Sequence, residues 1–415
     1  MEASCELLRT ASERIQQART TMVALAVRDA AGHPITNAHV HIELARHAFK
    51  FGSNAFLVGC VEDDALQAAY EERFAKLLNY ATLPFYWGSY EPVQGETRSV
   101  RLREMAVWCR EHDILAKGHP LTWHETVSPW AAALDDSEVL RRLEARVRAL
   151  PAEFRGVVDI WDVVNEATVS SGFDNAVGRW IRDRGAAAAV GLALGWARAA
   201  NPSATLLYND FNVGPDFERL IAELLDLGAP LDAIGIQSHM HCGTWTLERA
   251  WEVCETYSRF GLPLHFTELT VLSGRLKSPD DKDWHRVHTD WESTPEGEQA
   301  QADYVEQLYT LLFSHPAVEA ITWWDFADYR AWQGAPAGFL REDMSPKPVY
   351  DRLMDLIHRA WRTDFVTTTD AMGVASGRCF FGDHQIQVEL ASGATLQGHF
   401  LVERGGAKRV EVTVA

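Results

Sequence analysis

Cationic residues are scarce in this chain. Against 58 Asp and Glu stand only 39 Lys and Arg in 415 residues, a formal net charge of −19 at pH 7. A nucleic-acid partner needs basic patches to neutralise phosphate, so this balance excludes DNA and RNA as expected partners. It also disfavours anionic membranes and acidic polymers, and a neutral ligand suits it best. Cysteine is thin as well. Cys5, Cys60, Cys109, Cys242, Cys254 and Cys379 show no Cys-x-x-Cys pair and no zinc-like spacing. Most read as buried thiols, with a Cys242–Cys254 pairing left open. No run of 18 apolar residues exists, so no membrane span is expected. Residues 1–21 are a polar, helix-like stretch without an apolar h-region, so no signal peptide is visible. The chain as it stands reads as cytoplasmic, and as extracellular if a leader was removed. No strand is followed by a glycine-rich nucleotide fingerprint, which argues against an open nucleotide-binding sheet. No cofactor is expected.

What is present is an ordinary globular balance, 47% hydrophobic and 23% charged. The length fits a barrel of about 250–300 residues plus an accessory piece. From about residue 47, strand-like and amphipathic helical segments alternate. Candidate strands fall at 49–54, 79–83, 114–118, 158–163, 204–208, 232–236, 263–267 and 319–323. Helical stretches at 64–78, 100–112, 137–150, 178–200, 217–227, 247–260, 298–314 and 347–361 follow them. Eight βα units in order predict an α/β fold, a (β/α)8 TIM barrel over 47–362. Residues 20–46 read as two strands about a turn, and 363–415 return to β patterning. Neither piece alone has strands enough to bury a core, so the expectation is one small accessory β-sandwich built from both. Residues 1–19 form a helical segment ahead of it. Fifteen Trp are mostly core, with a few available to stack on a ligand.

In such a barrel the reacting groups end the strands. The fourth candidate strand runs into Asn165-Glu166, and the seventh into Thr267-Glu268. Each alone is a common strand-end carboxylate. Together, three βα units apart, they fit the pair that retaining glycosidases place about 5–5.5 Å apart.

The surrounding motifs resemble glycoside hydrolase family 10, the xylanase family, over roughly residues 20–361. Trp161-Asp162-Val163-Val164-Asn165-Glu166 matches its acid/base motif, and Phe266-Thr267-Glu268-Leu269 resembles its nucleophile motif. Gly118-His119-Pro120-Leu121-Thr122-Trp123-His124 looks like its third-strand motif, and Tyr208-Asn209-Asp210-Phe211-Asn212 like its fifth. Ile234-Gly235-Ile236-Gln237-Ser238-His239 looks like its sixth. Trp324, Asp328 and Trp332 share its eighth-strand spacing, and Phe51 and Gly52 fit the first strand. The resemblance implies double displacement, with Glu166 as general acid/base and Glu268 as nucleophile. It implies that Asn165 holds the 2-hydroxyl of the reacting sugar and that His239 hydrogen-bonds Glu268, with Gln237 ordering that network. His119, Trp123 and His124 would line the pocket, with Asn209 beside Glu166. Trp324 and Trp332 would wall the sugar ring. The implied substrate is a neutral oligosaccharide or polysaccharide of xylan type, and no metal is implied.

The chain also departs from the family. Where the second strand usually carries Thr-x-Glu-Asn-x-x-Lys-Trp, this chain has Thr82-Leu83-Pro84-Phe85-Tyr86-Trp87. The polar grips for the non-reducing sugars are gone. Thr126 replaces Gln, and Thr270 stands where Asp is usual. A non-xylan glycoside is therefore the alternative substrate. The long segment 269–296 holds Trp284 and Trp291, either of which is a candidate for stacking on substrate. Two competing readings are weaker. His39-Val40-His41 precedes the barrel and lacks the remaining ligands of a metal-dependent hydrolase, and a purely carbohydrate-binding protein would not need the Glu pair.

Overall fold

The computed structural model describes residues 2–415. The chain falls into two compact units, one of residues 1–50, 306–316 and 350–415, the other of 51–305 and 317–349. In the first, helices Glu2–Arg9 and Ala11–Arg19 lead into β1 (Thr20–Arg28) and β2 (His39–His47). The second is built on eight parallel strands: β3 (Lys50–Asn54), β4 (Tyr80–Pro84), β5 (Leu115–His119), β6 (Ile160–Asn165), β7 (Thr205–Asp210), β8 (Ala233–Met240), β9 (Leu264–Val271) and β10 (Val318–Trp323). They close in sequence order, with β10 pairing back to β3. The expected barrel is therefore the fold, and each strand lies within a few residues of its predicted place. β8 and β9 run four residues past their predicted ends, where the polar residues Gln237, Ser238, His239, Glu268 and Thr270 interrupt the apolar runs.

Inside the barrel, Tyr80, Ile160, Ala233 and Ala320 come from alternate strands and pack with Leu207 as one layer. Two strand glycines make room for large neighbours. A Cβ on Gly118 would lie 2.2 Å from the Trp161 ring, and one on Gly235 would lie 2.5 Å from Asn209 Oδ1. The predicted helix at 178–200 is in fact two, Ala176–Arg184 and Ala186–Ala200, broken at Gly185 where φ is +87°. Glycine adopts that left-handed region without the Cβ clash other residues meet.

The chain ends supply β11 (Asp364–Thr368), β12 (Val374–Phe380), β13 (Gly382–Glu389), β14 (Thr395–Val402) and β15 (Arg409–Thr413). They join the first two strands in two sheets, ordered β12-β1-β15 and β11-β2-β13-β14. One apolar cluster takes Val23, Leu25, Val40, Ile42, Ile386, Val388, Phe400 and Val412 from both sheets. All six cysteines are free thiols. No helix among the described residues is long and apolar enough to cross a membrane.

Candidate active site

The site is assembled at the C-terminal ends of the barrel strands. β6 stops at Asn165, and Glu166 turns the chain with φ +59°, ψ 37°. A left-handed conformation costs a residue with a Cβ about 1–2 kcal/mol, and here it is pinned by the Glu166 amide donating to the Asn209 carbonyl at 2.8 Å. The turn brings the carboxyl under three donors. Gln237 Nε2 reaches Oε1 at 2.8 Å, Asn165 Nδ2 reaches Oε1 at 3.0 Å, and Trp123 Nε1 reaches Oε2 at 3.1 Å.

Glu268 stays within β9 and is held by a different set. Asn209 Nδ2 donates to Oε1 at 2.8 Å, and His239 Nε2 lies 3.0 Å from Oε2. His119 Nε2 is 3.7 Å from Oε1. The other Asn209 hydrogen goes to Asn165 Oδ1 at 2.8 Å, while its carbonyl oxygen accepts from Thr267. Asn209 thus has every polar atom used, which fixes its orientation, and it ties the two carboxyl groups together through Asn165. His239 is set by Thr270, whose hydroxyl is 2.9 Å from Nδ1. A hydroxyl can donate to or accept from that nitrogen, so Nε2 is free to donate to Glu268.

These surroundings push the two acids apart. Burial, and then the charge of Glu268, drives the Glu166 carboxyl well above the usual range. Burial opposes charge on Glu268 too. There the His119 charge, the His239 hydrogen bond and charge, and the Lys117 charge outweigh it, and the carboxyl sits below the usual range. The arrangement keeps one acid protonated beside one ionised carboxylate.

Of the candidate residues, Glu166, Glu268, Asn165, Asn209, Gln237, His239, His119 and Trp123 share this cluster. Gln237 bonds Glu166 and Asn165 rather than the Glu268 side. Trp324 stands edge-on to the His119 and His239 rings at 5.5 and 6.0 Å, and Trp332 lies 4.8 Å from His239. His124 is apart from the network: it is buried against Phe173 at 4.2 Å, and neither ring nitrogen has a hydrogen-bond partner. Of the two loop tryptophans, Trp291 is buried and donates to the Arg275 carbonyl, while Trp284 is 36% exposed and stacks on Trp332 at 5.9 Å.

Three further groups belong here. Lys117 bonds Asp162 at 2.6 Å, and Asp162 holds His119 Nδ1 at 2.8 Å. The signal was the alternation in β5, which turns both Lys117 and His119 into the barrel. Tyr86 packs edge-on to His119 at 5.3 Å and beside Trp123 at 5.8 Å. Asp325 accepts from the Trp332 amide, and burial raises its carboxyl to about 6. His124, Glu125 and Glu166 offer ligand atoms within 4.8 Å of one another, a set able to hold a metal ion.

Comparison with known proteins adds the following. The sequence profile of glycosyl hydrolase family 10 matches residues 44–356. Endo-1,4-beta-xylanase B of Thermotoga neapolitana is 28% identical over 289 residues, covering 65% of this chain and 78% of that protein. Anti-sigma-I factor RsgI6 of Acetivibrio thermocellus is 25% identical over 391 residues, 91% of this chain and 46% of that protein. Native xylanase 10B from Thermotoga maritima has the same fold, with a TM-score of 0.63 at 24% identity over 75% of this chain and 96% of its own.

Proposed function

From the premise that the chain belongs to glycosyl hydrolase family 10 and is a xylanase-like glycoside hydrolase, we propose that it cleaves β-glycosidic bonds of xylan-type saccharides with retention, through a covalent glycosyl-enzyme. Glu166 is the general acid/base and Glu268 the nucleophile. The observation that carries this reading is the pair of buried carboxyls at the end of β6 and in β9, linked through Asn165 and Asn209, in surroundings that push their pKa values apart. In the first step a Glu268 oxygen attacks the anomeric carbon while Glu166 gives its proton to the departing glycosidic oxygen. In the second step Glu166 takes a proton from water, the water oxygen attacks the same carbon, and the Glu268 ester bond breaks. In this reading Asn165 meets the 2-hydroxyl of the reacting sugar, and Trp324 and Trp332 flank its ring.

The glycone side supports a second possibility for the sugar. Phe85 is turned into the core against Phe154 and Trp161. Of the residues replacing the family's polar grips, Tyr86 is the one beside His119 and Trp123. A phenol in place of a Glu, Asn and Lys set favours a shorter or different glycone.

A panel of aryl glycosides including xyloside, xylobioside, cellobioside, glucoside and arabinoside tests both, with Glu268→Ala and Glu166→Ala in parallel. The expected result is hydrolysis of the xylobioside that is abolished in Glu268→Ala, with a β-configured first product by proton NMR. Glu166→Ala should lose about 10²–10⁴-fold in kcat on poor leaving groups, and azide should restore turnover on activated ones. An inverted first product would sink the double displacement. Activity on another glycoside alone would keep the mechanism and replace the sugar.

A further inference from the structure

Trp123 is followed by His124 and Glu125, and the two lie beside Glu166. One ligand atom of each of the three lies within 4.8 Å of the others. His124 is fully buried, yet Nδ1 and Nε2 both lack a hydrogen-bond partner among the described residues. An unsatisfied buried polar atom costs about 1–3 kcal/mol, so this ring calls for a partner from outside the chain. Glu125 is exposed and makes no hydrogen bond that it would have to give up. Glu166 spends Oε1 on Asn165 and Gln237, while Oε2 takes only the single longer bond from Trp123.

We propose that His124, Glu125 and Glu166 form a binding site for a Zn²⁺-class transition-metal cation, and that its occupation blocks hydrolysis. One imidazole and two carboxylates, with a water as fourth ligand, suit Zn²⁺, and the proton that Glu166 holds leaves to solvent as the ion binds. Mg²⁺ and Ca²⁺ demand six or more oxygen ligands and fit this set poorly. Zinc bonds of about 2.0–2.1 Å place tetrahedral ligand atoms about 3.4 Å apart, so the three groups must draw together by about 1 Å. Glu125, being exposed, has room to close on the other two. A carboxylate oxygen bound to the ion no longer offers the lone pair that carries the proton in the first step, and the reaction stops there. Zn²⁺ binding itself is independent of the hydrolytic reading; the block rests on it.

The test is calorimetric titration of the full chain with Zn²⁺, comparing wild type with Glu125→Gln, alongside hydrolysis of the aryl xylobioside. Wild type should bind one Zn²⁺ at this site, and Glu125→Gln should bind at least about tenfold more weakly. Without metal, Glu125→Gln should still hydrolyse the substrate, and its own metal-free rate is the reference for its inhibition curve. Inhibition by Zn²⁺ should follow the calorimetric constant, shift by the same factor in the variant and reverse with a chelator. Equal Zn²⁺ affinity in the two proteins, or no binding by either, overturns the site. Binding that shifts as expected without any effect on turnover overturns the block. Binding that shifts in a protein with no glycosidase activity upholds the site and discards the hydrolytic reading instead.

Discussion

Glu268 keeps its charge in a place that burial would otherwise neutralise. One of its supports is His239, which reaches Oε2 at 3.0 Å, and the sign of that support is testable. Removing the hydrogen bond takes away one of the causes that hold the carboxyl below the usual range. In His239→Ala the pKa of Glu268 therefore moves up, and because the nucleophile must be ionised, the acid limb of the kcat/KM profile moves to higher pH. An acid limb in the same place as wild type would detach His239 from Glu268. Glu166 and Glu268 were legible in the sequence as carboxylates that end strands. Of what binds them, the His239 bond to Glu268 was implied by the motif resemblance, and the amide donors were not. The donors on Glu268 and Glu166 come from Asn209 and Gln237, 59 and 71 positions away, and nothing local sets which amide meets which acid. The motif resemblance gathered these residues in one place, whereas the pairing of Gln237 with Glu166 emerged only from the barrel closure that brings β6 and β8 to the same mouth.

The same limit shows at the level of strands. Predicted strand ends stopped where apolar runs stopped, so Gln237, Ser238 and His239 read as loop. In the barrel they continue β8 in register with Glu268, Leu269 and Thr270 of β9. Gln237 and His239 find hydrogen-bond partners in the crowded mouth, which is why hydropathy misses them. The terminal strands pose the opposite case. Their alternation was clear, while their partners were not, since β1 pairs antiparallel with β12 and parallel with β15. β2 lies between β11 and β13. Deleting 363–415 therefore strips both neighbours from both N-terminal strands and uncovers Val23, Leu25, Val40 and Ile42. Hydrogen exchange should show residues 20–47 reduced to the protection of unfolded chain. Protection equal to that of the full chain would mean these strands are held without their sheet partners.

At the scale of the whole chain, acid should act unevenly on the two units. The unit made from the chain ends contains His47 and His384, whose burial lowers their pKa values to about 3 and about 4. An unfolded histidine takes up its proton near pH 6.5. Between there and the folded values the unfolded chain binds more protons than the native one, so stability present above pH 6.5 drains away as pH falls. The barrel unit has its own depressed histidines, His124 and His241, at about 4 and about 3. It also has carboxyls shifted the other way, above all by burial, in Glu125, Glu166, Asp210, Asp325 and Asp328. Those hold protons in the native state that the unfolded state has released, and they gain stability over the window in which the histidines lose it. None of the raised carboxyls among the described residues lies in the terminal unit. Exchange measured at pH 7 and pH 5, corrected for intrinsic rates, should therefore show β13 and β14 losing protection while β6 and β9 change less. If both units weaken in step, the offset assigned to the barrel carboxyls is wrong, and the four histidines alone set the acid response.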